Sequence, residues 1–474
     1  MILNIQQRES LLNQEPVEVK GFTITENRGE KRTIDISPGV MEFRFYENVL
    51  SAYITATAIV INTGTEYKED AAIATRGLID GLPIRGGEKV SINVDDSKRA
   101  RNTTLLQTFN AGTINFDMVV LRIENVITDR GRELFTLHLV SPEYFTNYLT
   151  AVQGRYQGLI HDHVHNIMNN IIRTPKMIWS DRTVINYNFY GNGRKPFPTL
   201  LWLASKGIPE ITASGKGGSG VGGAAGYLFY ETRKGFNFRS IDKMFMANSS
   251  GFTQVQRKFL FNDTGLTAEG YDFNIMQFSV DTNMNLEDKL LMGTYANNSV
   301  FFDLYTMTKT DRPYNYGTDA EGKLQEAGDD PIYDHLPSDI RSTASKTYTH
   351  LLDIGVNPDG IGNEQLKGKN QDPGWYAKQR QSAENAMVQT VMRYNQLFTV
   401  QINATIPADF ALKAGDLVEC NFKDTSGSSS PELNTDSSGI YMIGSVCHRY
   451  SPEDKGGYTQ LGLIRDTFGR KLDT

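Results

Sequence analysis

The sequence predicts a mainly β fold with α segments (α+β), and three observations carry that prediction. Apolar and polar residues alternate with a period of two through many short runs. Glycine-containing turn signals separate those runs. The chain is rich in residues that suit pleated surfaces and tight turns, with 22 tyrosines, 24 phenylalanines and 43 glycines among 474 residues. The length suits roughly three domains on the usual scale of about 150 residues each.

Residues 1–140 read as a first β domain, a barrel or sandwich. Met41, Phe43 and Phe45 alternate with Glu42 and Arg44. The run 53–61, YITATAIVI, suits a strand throughout, and Val90, Ile92 and Val94 share one face after the turn at Gly86-Gly87. A hairpin turns at Asp129-Arg130-Gly131, with Phe135, Leu137 and Leu139 facing one way and Thr136 and His138 the other. The period then lengthens, and 141–225 reads as a helical docking region with a glycine-rich loop. Ser141 is an expected N-cap before Pro142. Ile160, Val164, Ile167, Met168, Ile171 and Ile172 form the apolar stripe of a second helix, and a third runs from Pro198 towards Gly207. Residues 226–313 read as a second β domain that opens with an aromatic hairpin, Tyr227–Thr232 and Phe236–Ile241. Residues 314–372 form a polar insertion within a Gly-, Asp- and Asn-rich stretch that starts at 309. A helix from Asp372 opens the last segment, 373–474. Val400, Ile402, Ala404 and Ile406 then line the inner face of a closing sheet, with a loop tip at 424–439.

A formal net charge of −7 leaves no broad basic surface to hold nucleic acid by counterion release. The only two cysteines, Cys420 and Cys447, lie in apolar strand-like runs, as buried thiols of a chain assembled in a reducing cytosol do. No apolar run approaches the length of a membrane span, and the N-terminus has no secretory pattern.

The motifs do not assemble a catalytic centre. In SGKGGSGVGGAAG, Gly218, Gly220 and Gly223 spell G-x-G-x-x-G, but the strand-like Tyr227-Leu228-Phe229-Tyr230 follows instead of the helix that a dinucleotide site needs. Lys216 follows Gly215 without a hydroxyl residue after it, so a P-loop is excluded as well. His161 and His165 in HDHVH stand four apart on a helix and share a face, so they are the candidate metal pair, while His163 points away. With no third ligand in view, a solvated face is the simpler expectation, and no cofactor or metal is expected. The adjacent pairs Glu287-Asp288 and Asp329-Asp330 do not face one another across a gap, as glycosidase carboxylates do. Glu287-Asp288 suits a helix start. No enzyme is expected.

Three stretches carry a resemblance: LPIRGGEKVSINVDD, GYLFYETRKGFNFRSIDKM, and the C-terminal ATIPADFALKAGDLVECNF with its later SGIYMIGSVCHRY and LGLIRDTFG. In this order they resemble the central baseplate hub of T-even-like contractile-tailed phages, over most of the chain from about residue 17. The resemblance implies two tube-like β domains per chain, about 15–140 and 226–313, in a homotrimeric ring. Such a ring joins a sixfold tail tube to a threefold central spike, with baseplate wedge proteins outside and DNA passing through without specific binding. It implies a virion component assembled in the host cytoplasm. The alternatives are the hub of a type VI-like or extracellular contractile injection system, a peptidoglycan-cleaving tail enzyme, which clearing of cell-wall suspensions reveals, and a glycan-binding adhesin, which a glycan array reveals.

Overall fold

A computed structural model describes residues 17–27, 31–63, 77–95, 112–129, 132–184, 187–210, 225–246, 255–261, 270–303, 307–319, 324–328, 330–352, 375–423, 433–434, 437–452 and 457–469. The glycine tract up to residue 224, Asp329, the cap at Asp372 and most of the loop tip lie outside these residues.

The N-terminal strands are β1 (Glu18–Thr25), β2 (Thr33–Asp35), β3 (Val40–Asn48), β4 (Thr55–Asn62), β5 (Lys89–Asp95), β6 (Thr113–Asp129) and β7 (Arg132–Val140). They curl around one core in which Phe22, Phe43, Phe45, Val60, Ile92, Met118 and Leu137 are buried. Alternation places these side chains inward, with one exception. Met41 is exposed and Val40 is buried in its place, because the ladder to β4 slips between Val40 and Glu42. A bulge of one residue reverses the facing of what precedes it.

The middle of the chain holds helices with short strands among them. Its longer helices are α1 (Glu143–Leu149), α2 (Ile160–Asn166), continued by a π-helical stretch Ile167–Ile172, and α3 (Pro196–Ala204). Two caps differ from expectation. Helix α1 starts after Pro142 with no side-chain cap, and Ser141 contributes its carbonyl to Tyr144 instead. Helix α3 opens at Pro196, where a missing N–H costs nothing. Short strands β8 (Arg155–Tyr156), β9 (Met177–Ser180) and β10 (Phe189–Tyr190) lie among them. The aromatic hairpin is β11 (Tyr227–Thr232) and β12 (Gly235–Ser240), and β9 pairs parallel to β12.

The later strands are β13 (Val255–Phe261), β14 (Phe273–Asn274), β15 (Gln277–Asn283), β16 (Ala296–Asp303), β17 (Thr308–Asn315) and β18 (Lys346–Leu352). Helix α4 (Trp375–Leu397) precedes β19 (Val400–Pro407), β20 (Leu417–Phe422), β21 (Gly439–Tyr450) and β22 (Tyr458–Arg465). Pairing here departs from the expected second domain. Residues 226–313 contribute to three sheets: the hairpin joins β9, strands β13–β15 join β19–β22, and β16–β17 join β18. The second β unit is therefore built from 255–283 and 400–465, around Phe259, Ile402, Ala404, Val418, Ile443 and Leu463. The expected polar insertion is also partly ordered sheet. β17 and β18 flank β16, and Phe301 and Tyr314 pack with Val388 and Met392 of α4.

The two β units share a strand order. The first places its strands β3-β4-β7-β6-β5-β1, and the second places its strands β15-β19-β22-β21-β20-β13. Numbered within each unit by position along the chain, both read second, third, sixth, fifth, fourth, first. The directions agree at every ladder but the last, since β1 runs antiparallel to β5 and β13 runs parallel to β20. Neither unit closes as one ladder. In the second, the bridge between edges is made by two neighbouring amides, Ile275 N–H to Leu260 O at 2.8 Å and Met276 N–H to Thr405 O at 2.9 Å.

Candidate functional site

The groups that fix one β unit against the other form the first candidate, and the aromatic hairpin is their centre. Glycine at 235 permits its tight turn: φ is +138°, and a Cβ there would meet the Met177 carbonyl oxygen at 2.3 Å. Phe229 and Phe236 stack at 5.9 Å and enter the helical core beside Phe197, while Leu228 and Tyr230 pack on the opposite side with Leu417 and Met442. The hairpin thus contributes to two cores through alternate residues.

Buried carboxylates lock it. Glu47 on β3 accepts from the Arg233 N–H in the hairpin turn at 2.8 Å and from the Ala414 N–H before β20 at 3.0 Å. Burial raises its pKa. Glu231 accepts from the Ile54 N–H at 3.0 Å and from Lys176 Nζ at 2.5 Å, and Lys176 also donates to Glu143 at 2.6 Å. Burial raises the Glu231 carboxyl to about 7, against the pull of Lys176. Further along, Arg393 of α4 is fully buried. Its guanidinium donates to Asp242 at 3.0 Å, Asp466 at 2.7 Å and the Gln325 carbonyl at 2.7 Å. Each charge is met by a partner, as a buried ion must be.

The C-terminal motif residues fall in this same interior. Gly415 has φ +85° beneath the Tyr230 hydroxyl, and the Tyr441 hydroxyl donates to the Ser437 carbonyl at 2.5 Å. His448 is fully buried, with Nε2 on the Leu412 carbonyl at 3.0 Å and Nδ1 on the Thr459 hydroxyl at 3.1 Å. Burial holds its pKa down at about 3. Arg465 lies under Tyr441, and Asp466 answers Arg393. These positions hold strands and loops together.

The histidines of HDHVH differ from expectation. His163 enters the core, buried, with Nε2 at 2.7 Å from the Tyr187 carbonyl. His161 pairs with the Thr183 hydroxyl at 3.0 Å and His165 with the Ser180 hydroxyl at 2.7 Å, so the expected solvated face packs on the segment that contains β9. No group of three metal-ligating side chains converges among the described residues. Glu287 and Asp288 stand in the first turn of helix Leu286–Leu291, whose cap Asn285 accepts from the Asp288 N–H at 3.2 Å. Asp330 pairs with His335 at 2.7 Å. Among the described residues no helix is long and apolar enough to cross a membrane.

The second candidate is a pair of open strand edges. Strand β5 accompanies β6 only as far as Val119, while β6 continues to Asp129, where Val126 and Ile127 are exposed. Among the described residues strand β15 pairs only with β19, and it exposes Val280. Composition alone did not reveal these edges, because a strand's lack of a neighbour is a tertiary property.

The fold is shared with a solved tail protein. The chain is similar to the tail protein from Neisseria meningitidis MC58, with a TM-score of 0.51 and 9% identity over 94% of this chain and 97% of that one. It also matches the 43 kDa tail protein of prophage MuSo2 from Shewanella oneidensis, with a TM-score of 0.47 and 8% identity over 94% and 100% of the two chains. A third match is a component of the Escherichia coli type VI secretion system, with a TM-score of 0.37 and 8% identity over 96% and 79%. No protein-family model and no curated protein matches the sequence. The first of these likenesses shows the fold.

Proposed function

We propose that this chain is the structural hub of a contractile-tail baseplate, a virion component assembled in the host cytoplasm that makes and breaks no covalent bonds. Three copies form a ring. One face of the ring seats the sixfold tail tube, the other seats the threefold central spike, and wedge proteins grip the outside. The ring leaves a conduit for DNA, and its net acidity keeps the passing duplex from adhering.

The observation that carries this reading is the repeated strand order within one chain. Two units of like topology in each of three subunits present six similar blocks around an axis, which is what a part between threefold and sixfold neighbours requires. A ring closes only when each contact repeats the same rotation. The locked hairpin supports the reading as well, because it holds the two units at a fixed angle through Glu47 and Glu231.

Light scattering on the purified chain, alone and mixed with a trimeric baseplate spike protein, tests the proposal. A three-chain particle that takes up one trimeric spike is expected. A species that stays monomeric in both samples overturns it.

A further inference from the structure

Within one chain the two β units already meet along a ladder. The second half of β21 runs antiparallel to β3, from Ser445 opposite Asn48 to Tyr450 opposite Phe43. Strand β21 is the fifth of its unit and β3 is the second of the other. Their counterparts by position are β6 and β15, and these carry the two open edges.

The correspondence holds residue by residue as far as Glu124 and Cys447, after which β6 and β15 each carry one extra residue, between Glu124 and Ile127 and between Val280 and Thr282. Val119 and Met442 each end the ladder to the fourth strand, opposite Lys89 and Leu417. They face Val140 and Ile464 of the sixth. Both strands then bulge at the same place, at Leu121 and at Gly444, and resume with Arg122 opposite His138 and Ser445 opposite Gly462. A shared bulge at a shared position fixes the alignment, since bulges set register. Beyond it, β21 carries β3 on its outer edge, whereas β6 carries no strand there among the described residues.

We propose, building on the ring reading above, that residues 122–128 of one copy add antiparallel to β15 of the next copy, in the register that β21 uses on β3. Thr55 and Gln401 face Val140 and Ile464, which sets Tyr46 and Thr282 in equivalent places. The pair Cys447–Tyr46 within a chain becomes Glu124–Thr282 between chains, and Arg449–Arg44 becomes Ile127–Ser279. The occupant is a second copy because the template for the contact is the chain's own internal junction. An added strand satisfies the unpaired backbone groups that an open edge otherwise leaves to water. The two junctions differ chemically. The internal one is clasped by Arg449, whose guanidinium meets Glu42 at 2.9 and 3.1 Å, whereas the open edges offer exposed Leu121, Val126, Ile127 and Val280.

Oxidative cross-linking of the double variant Glu124→Cys/Thr282→Cys tests the junction. The unsubstituted chain and Glu124→Cys/Asp311→Cys, which has one cysteine on the outer sheet edge β17, serve as references. A covalent closed trimer on a non-reducing gel, at least about tenfold above both references, is expected. Ile127→Asp, at an exposed position, is expected to weaken trimerisation at least about tenfold with an unchanged circular-dichroism spectrum. A three-chain particle in which 124 and 282 do not link overturns this junction and leaves the ring reading intact. Equal linking to position 311 also overturns it, and a chain that stays monomeric and unlinked overturns both.

Discussion

His448 shows how a residue can carry a motif without carrying chemistry. Both ring nitrogens are engaged in a site with no solvent, so the neutral imidazole is the form that fits. Its folded pKa, about 3, lies below the 6.5 of an unfolded histidine. The unfolded chain binds the extra proton between those values. The contribution is thus complete above pH 6.5 and is lost as pH falls towards 3, a loss on the order of 4 kcal/mol. Urea titrations across that window are expected to show the slope, and His448→Gln to remove most of it. A variant with the same acid sensitivity as the parent would show that another group is responsible. Arg393 makes a second case. Truncation to alanine removes the guanidinium that offsets the buried charges of Asp242 and Asp466, and a loss of about 3–5 kcal/mol is expected from denaturation midpoints at constant m-value.

At the scale of elements, the hairpin β11–β12 acts as a strut. Its alternate faces serve two cores, so Phe236→Ala is expected to cost about 3–5 kcal/mol. Calorimetry should show the helical region and the N-terminal unit melting together, because Glu231 ties Ile54 to the segment at Lys176. Two separate transitions in the parent protein would contradict a strut. These elements also show what a sequence conveys. The hairpin's two strands follow from their aromatic runs, and the inward faces of β5, β7 and β19 follow from alternation, because a local period decides which side of a strand is apolar. Partners do not follow. Nothing local in VQRKFLF says that β13 lies beside β20, more than a hundred and fifty residues on. The exposure of Met41 depends on a slip in the ladder to β4, and the burial of His163 on a carbonyl supplied by Tyr187. The stretch 309–372 looked like surface because it is polar and rich in Gly, Asp, Pro and Asn. Its strands are largely exposed, and Tyr314 and Tyr316, with Leu324 and Tyr333 beside them, mark the part that packs with α4. The locking carboxylates were missed as well, since a buried glutamate in a strand carries no sign of its backbone partners.

At the scale of the molecule, the proposed ring should have a distinctive response to salt. Joints between chains that rest on strand addition and apolar contact should survive the shrinking of the Debye length from about 10 Å to about 3 Å between 0.1 and 1 M salt. The mass by light scattering is expected to stay at three chains over that range, and dissociation at high salt would point to ionic contacts in their place. The fold as a whole was legible as mainly β with helices between. The composition of the second unit was not, because its strands come from two stretches of chain separated by the sheet of β16–β18 and by α4.

That separation bears on how the protein is made. Strand β22 sits between β19 and β21, so its neighbours have no partner across the middle of the sheet until residues 458–465 leave the ribosome. A polypeptide abandoned before that point holds an incomplete second block and has no finished surface to offer a sister copy. Construction of a tail would then draw only on chains whose synthesis had reached that strand, a form of proofreading set by the order of translation.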